Sequence, residues 1–218
     1  DSGAHALDER TLTIPIASAH ALVETRVRIR PDANTALEGL YRSGQFLVTQ
    51  CEAQGFRHIT WFPDRPDVMS RYTVTLVADR ERFPVLLSNG NPDAAGLSEH
   101  NVHWARWNDP HPKPSYLFAL VAADLVAREQ RIRARSGREH LLQVYVKRAD
   151  LGKTEHAMNS LIAALAWDEA RFGLSLDLER FMIVAVDDFN FGAMENKGLN
   201  LFNTKFVLAS ADSATDDD

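Results

Sequence analysis

Phe181-Met182-Ile183-Val184-Ala185-Val186-Asp187-Asp188-Phe189-Asn190-Phe191-Gly192-Ala193-Met194-Glu195-Asn196-Lys197-Gly198 is the stretch on which the reading of this chain turns. Its first six residues are an unbroken apolar run rich in β-branched side chains, which suits a strand buried on both faces. The run stops at Asp187-Asp188, and the chain becomes polar, aromatic and glycine-punctuated, as loops that carry sites commonly do. Gly192 has no side chain, and Ala193 has little, to keep another backbone away. Two readings follow from the residues alone. In one, the backbone near Gly192 and Ala193 pairs with an extended peptide by strand addition, and Glu195 holds a cation at the end of that peptide. In the other, this is an ordinary tight loop after a core strand, and Glu195 is a solvated charge.

Gly192-Ala193-Met194-Glu195-Asn196 spells GAMEN, and Lys197-Gly198-Leu199-Asn200 and Leu201-Phe202-Asn203-Thr204-Lys205 continue the pattern. The segment resembles the exopeptidase motif of the aminopeptidase N family, bacterial zinc metallopeptidases of the gluzincin class. Glu38-Gly39-Leu40-Tyr41, Thr49-Gln50-Cys51-Glu52-Ala53 and Phe62-Pro63-Asp64-Arg65-Pro66-Asp67 resemble that family's N-terminal domain. The resemblance implies that Glu52 and Glu195 bind the free α-amino group of a peptide, so that only its first peptide bond meets the metal-activated water. It implies that Gln50 and Phe191 line the pocket for the first side chain, and that Gly192 and Ala193 align the peptide backbone. Met194 belongs to the same motif, and Asn196 either contacts the scissile carbonyl or holds the loop. Phe191 stands where relatives often carry Met, and a rigid ring there is expected to narrow the accepted side chains.

The fold class expected is mainly β with some α. Residues 1–123 form part of a β-rich sandwich or saddle domain, and residues 124–218 the opening of a thermolysin-like catalytic domain. Alternation marks a strand at Thr25–Arg30, and stretches separated by turn residues read as strands at Phe46–Thr49, Tyr72–Val77, Val85–Leu87 and Tyr116–Val121, with another at Leu141–Val146. In extended chain, Gln50 and Glu52 share a face. Residues 125–135 and 141–146 are expected to form a hairpin across Ser136-Gly137. One helix is expected from Thr154 to Phe172, with Thr154 as N-cap, Gly173 as stop, and Met158, Leu161, Ile162, Leu165, Trp167 and Phe172 as packing residues.

A zinc peptidase of this class needs His-Glu-x-x-His, two histidines one helical turn apart on one face. None of the eight histidines begins such a pattern. His100 and His103 are three apart but read as loop and strand; His58 reads as packed and His156 as surface. The resemblance therefore implies one zinc ion in the full protein with its ligands outside this sequence, no metal site within it, and no activity for the segment alone. Both ends are expected to be internal to a longer chain, with Ala214–Asp218 leading into the zinc helix.

The net charge of -6 over 218 residues lacks the basic clustering that phosphate contacts require, so no nucleic-acid partner is expected. No apolar run approaches the roughly 20 residues of a membrane span. Cys51 is alone, which fits a reducing, cytoplasmic compartment. Peptide substrates and a monomeric state are expected. Two alternatives stand beside the aminopeptidase: a bifunctional peptidase and epoxide hydrolase of the same family, and a non-catalytic β-rich binding module.

Overall fold

The structure, a computed structural model, describes residues 5–8 and 10–210. The expected lead-in at Ala214–Asp218 lies outside them. The strands run in chain order as β1 (Ala6–Leu7), β2 (Leu12–Thr13), β3 (Gly39–Ser43), β4 (Phe46–Gln50), β5 (Ser70–Asp79), β6 (Val85–Ser88) and β7 (Asn91–Leu97). They continue with β8 (Val102–Lys113), β9 (Leu120–Ala123), β10 (Val126–Arg133) and β11 (Glu139–Val146). Helix α1 (Glu155–Phe172) follows, then β12 (Arg180–Val186), β13 (Ala193–Met194) and β14 (Leu199–Asn203). Among the described residues the architecture is β-rich with one α-helix.

Three sheets and the helix stack in layers. A three-stranded sheet has the order β5-β8-β7, a four-stranded sheet β3-β4-β9-β6, and a five-stranded sheet β10-β11-β12-β14-β13. The four-stranded sheet is apolar on both faces. Phe46, Val48, Val121 and Ala123 pack with Met182, Val184 and Val186 of β12. On the opposite face, Leu47 and Ala122 meet Leu76 and Ala78 of β5. Strand β12 repeats this two-sidedness: Met182, Val184 and Val186 face the four-stranded sheet, and Ile183 and Ala185 face Met158 and Leu161 of α1. It pairs in parallel with both β11 and β14, as a continuous apolar run should. Each fully buried Val, Ile or Met contributes about 1.5–3 kcal/mol of transfer free energy, so β12 anchors everything that follows it.

The hairpin forms across Ser136-Gly137, where Gly137 takes a positive φ of 87°. Helix α1 closes on Gly173, whose φ of 68° permits its N–H to reach the Glu169 carbonyl at 3.1 Å. Thr154 precedes the helix, but its side chain does not cap it. The hydroxyl donates to the Leu151 carbonyl and accepts from Arg128 Nε, both at 2.8 Å.

Four other readings from the sequence need correction. Thr25–Arg30 pairs with no strand among the described residues, and Val27 is exposed; alternation marks a face, but a strand also needs a neighbour. Of Tyr116–Val121 only the end is strand, because Ser115–Leu117 is a 3-10 turn leading into β9. Trp167 and Phe172 are not packing residues: they stack edge-on against each other at 5.4 Å on an exposed end of α1. His58 is exposed and faces Glu38 at 3.8 Å instead of being packed.

Candidate peptide-binding edge

The loop after β12 leaves the core under tight control. Asp187 pairs with Lys147. The Asp188 backbone N–H donates to Ser43 Oγ at 3.1 Å, and the same hydroxyl donates to the Asp188 carboxylate at 3.1 Å. Tyr41 Oη donates to the Asp188 carbonyl at 3.0 Å. Burial, and then the Asp188 charge, push the Tyr41 hydroxyl well above its ordinary pKa, so it stays a donor. Phe189 is buried in the shared core, while Phe191 is half exposed and meets Phe189 edge-on at 6.5 Å. Asn190 Nδ2 donates to the Ala36 carbonyl at 3.2 Å. The loop thus runs alongside β3 from its Ser43 end toward its Gly39 end.

There the chain becomes β13, an edge strand of the five-stranded sheet, antiparallel to β14 with Ala193 opposite Phe202 and Met194 opposite Leu201. The Asn203 N–H donates to the Gly192 carbonyl at 2.9 Å. Antiparallel pairing alternates, so the backbone polar groups of Gly192 and Met194 turn toward β14, and those of Ala193 turn outward. Met194 is buried in the core and Ala193 is exposed. Gly192 and Ala193 are the two residues expected to let an incoming strand come close. The bare Cα of Gly192 faces the chain's own Phe206: an added Cβ would stand 3.1 Å from that ring. The free backbone edge belongs to Ala193.

Glu195 follows directly. It is exposed and makes no hydrogen bond or ion pair among the described residues. Asn196 is 1% exposed; its carbonyl accepts from Leu199 N–H at 2.9 Å, and neither polar atom of its side chain has a partner among the described residues. Lys197 donates to Asp177 at 2.7 Å. Gly198 closes the turn with φ of 74°, and its carbonyl accepts from the Met182 N–H at 3.0 Å.

Gln50 and Glu52 sit at the end of β4, and they do not share a face. The strand stops at Gln50, and the chain turns through residues 52–55, with the Gly55 N–H on the Cys51 carbonyl at 2.8 Å. Gln50 is buried, its Nε2 donating to the Glu52 carbonyl at 3.3 Å while Oε1 has no partner among the described residues. Glu52 is exposed and, like Glu195, free of ion pairs among the described residues. Cys51 is fully buried, and burial pushes its thiol pKa up. A polar hollow of about 770 Å³ begins beside this turn, at Ala53, Gln54, Arg57 and Trp61, but none of the expected site residues lines it.

The sequence did not disclose Tyr41, Ser43, Asp188 or Asn89 as parts of this region. Asn89 is buried at the end of β6; its Nδ2 donates to the Leu117 and Lys197 carbonyls at 3.0 and 2.9 Å. The contacts to Asp188 and Lys197 span more than 100 positions, and no local spacing announces them. Among the described residues, no group of three or more His, Cys, Asp and Glu can hold a metal ion. His103 Nε2 is engaged with the Phe83 carbonyl at 2.7 Å, and His100 is exposed. These residues do not fit a zinc site.

A layered β structure whose central strand opens into a short, acid-tipped edge strand defines the class, and the comparisons with known proteins name it. The Peptidase M1 N-terminal domain matches residues 6–117 and the Peptidase family M1 domain residues 156–218. The chain belongs to peptidase family M1. It is 58% identical over 190 residues to Aminopeptidase N of Escherichia coli, covering 87% of this chain and 22% of that protein. It is 53% identical to Aminopeptidase N of Caulobacter vibrioides, over 99% of this chain and 25% of that protein. The crystal structure of Legionella pneumophila aminopeptidase A in complex with aspartic acid superposes with a TM-score of 0.88 at 35% identity, over 97% of this chain and 25% of that one. The chain thus spans about a quarter of the length of the relatives it matches.

Proposed function

We propose that this segment is part of a zinc-dependent aminopeptidase that removes single residues from the N-terminus of peptides. Glu195 and Glu52 take the substrate's α-ammonium, Ala193 pairs with its backbone, and Phe191 and Gln50 bound the pocket for its first side chain. The observation that carries this reading is β13: an edge strand that turns one residue's N–H and C=O outward and ends on an exposed, unpaired carboxylate. The names of the relatives support it.

The chemistry assigned to these residues is binding and orientation. An exposed edge offers one N–H and one C=O to an extended peptide. A carboxylate beyond that edge favours a charged terminus, and a charge-assisted hydrogen bond contributes about 1.5–3 kcal/mol. Peptides whose terminus is acetylated lose that contribution. The zinc ion would supply an activated water, but the described residues do not fit it, so its ligands are assigned elsewhere. A cytoplasmic location belongs to the proposal, supported by the single, buried thiol of Cys51.

The test is Glu195→Gln in the complete protein, read as kcat/KM on an amino-acid anilide. The expected loss is about ten- to a hundredfold. A loss below about threefold, under 1 kcal/mol, refutes the role of Glu195.

A further inference from the structure

We infer that Asn89, Tyr41 and Ser43 are positioning residues: one sheet clamps the Glu195 loop at both ends and carries the strand that leads to Glu52. The inference rests on the anchoring role proposed above for the two glutamates and adds what fixes their spacing. Strands β3, β4, β9 and β6 form the sheet in that order. Leu40 pairs with Thr49, Thr49 Oγ1 accepts from the Leu120 N–H at 2.9 Å, and Ser88 pairs with Leu120. That makes one row across four strands. One residue further on, Gly39 pairs with Gln50, and the Ala119 N–H donates to Asn89 Oδ1 at 2.7 Å. Gln50 and Asn89 therefore mark the same end of the sheet, two interstrand steps or about 10 Å apart.

From that end the sheet reaches into the loop. Asn89 uses its whole amide. Its carbonyl oxygen accepts from Ala119, and its two N–H groups serve the Leu117 and Lys197 carbonyls. A flipped amide would set oxygen against two carbonyls, so the network fixes its orientation. Lys197 is two residues past Glu195. On the other side, Tyr41 and Ser43 of β3 hold Asp188 through three hydrogen bonds at 3.0–3.1 Å. Asn190 is tied to Ala36 as well. The segment between Asp188 and Lys197 contains β13 and Glu195, and both of its ends are bonded to the sheet that ends in Gln50. Small displacements of a binding group are costly, reaching about a hundredfold for 1 Å.

The test is a double-mutant cycle in the complete protein, with KM and kcat measured separately on an amino-acid anilide. Asn89→Ala is expected to raise KM about tenfold with kcat within about threefold. In a Glu195→Gln background the same change is expected to alter KM less than about twofold, because the group it positions is gone. Tyr41→Phe removes one hydroxyl and keeps the ring in the core; it carries the same arms at smaller amplitude and serves if Asn89→Ala does not fold. Equal effects in both backgrounds overturn the inference, as does an unchanged KM in both variants beside a raised KM for Glu195→Gln. An unchanged KM for Glu195→Gln itself refutes the anchoring role instead.

Discussion

Gly198 offers a measurable link between backbone geometry and the Glu195 turn. It holds φ of 74°, and a Cβ built there would lie 2.6 Å from Leu178 Cδ1 and 3.7 Å from the Gly90 nitrogen. Gly198→Ala therefore carries two costs. The left-handed conformation costs an L-residue about 1–2 kcal/mol. Displacing Leu178, which is 3% exposed, adds to this, at about 1 kcal/mol or more for overpacking a buried side chain. Gly137 is the internal control: its φ is 87°, but nothing lies within 4 Å of its Cβ position. Gly137→Ala bears only the first cost. Because the Met182 N–H donates to the Gly198 carbonyl, the disturbance is read at β12. Hydrogen exchange of the complete protein, resolved to peptides covering residues 181–186, is the assay. Gly198→Ala is expected to lower protection there by about thirtyfold or more, at tenfold per 1.4 kcal/mol. Gly137→Ala leaves those amides unchanged and loosens its own hairpin. Equal loss at β12 in the two variants, or a loss below threefold in Gly198→Ala, refutes the argument from close approach.

Two further outcomes follow from the charges. Lys113 and Asp109 form a buried pair at 2.9 Å, with the ammonium 3.9 Å from the Tyr72 ring centre. Burial lowers the Lys113 pKa and its bond to Asp109 works against that, so Asp109→Asn strands a buried ammonium and costs about 3–5 kcal/mol. The apolar double variant Asp109→Leu with Lys113→Met is expected to lie closer to the parent than either single change in denaturant unfolding; additive losses would contradict the pairing. Asp177 sits between Lys197 and His111; burial raises its pKa, but the Lys197 hydrogen bond and both charges outweigh this and hold it below the ordinary value. A depressed carboxylate stabilises above its unfolded pKa, about 3.9, and that contribution fades as pH falls through the lower folded value. Half exposed, Asp177 contributes under about 1 kcal/mol. Asp177→Asn is expected to be less stable at pH 7 and equal to the parent near pH 2; a gap that grows toward acid would refute the assignment.

The sequence disclosed the elements whose chemistry is local. The apolar run of β12 predicted burial on both faces, and the structure divides its side chains between two cores. The hairpin glycine and the Gly173 stop were legible because a positive φ restricts the residue that can sit there. Strand β8 was legible only in part, because Pro110 and Pro112 break its pattern. Pairing with β7 reaches only to Asn108, so both prolines lie where one side of the strand is open, next to a register shift against β5. Trp167 misled because its bulk suggests packing, whereas two residues past Leu165 it stands off the face that Met158, Leu161, Ile162 and Leu165 share. The loop motif named its own residues, but the groups that hold it come from β3 and β6. Their contacts depend on the stacking of two sheets, which no window of sequence contains.

The most direct test of the account is an experimental structure of the complete protein with a free amino acid bound. The account predicts that the ligand's α-nitrogen lies about 3 Å from carboxylate oxygens of both Glu52 and Glu195, with Ala193 beside its backbone. A ligand nitrogen that touches neither carboxylate, or two carboxylates facing separate surfaces, would contradict it.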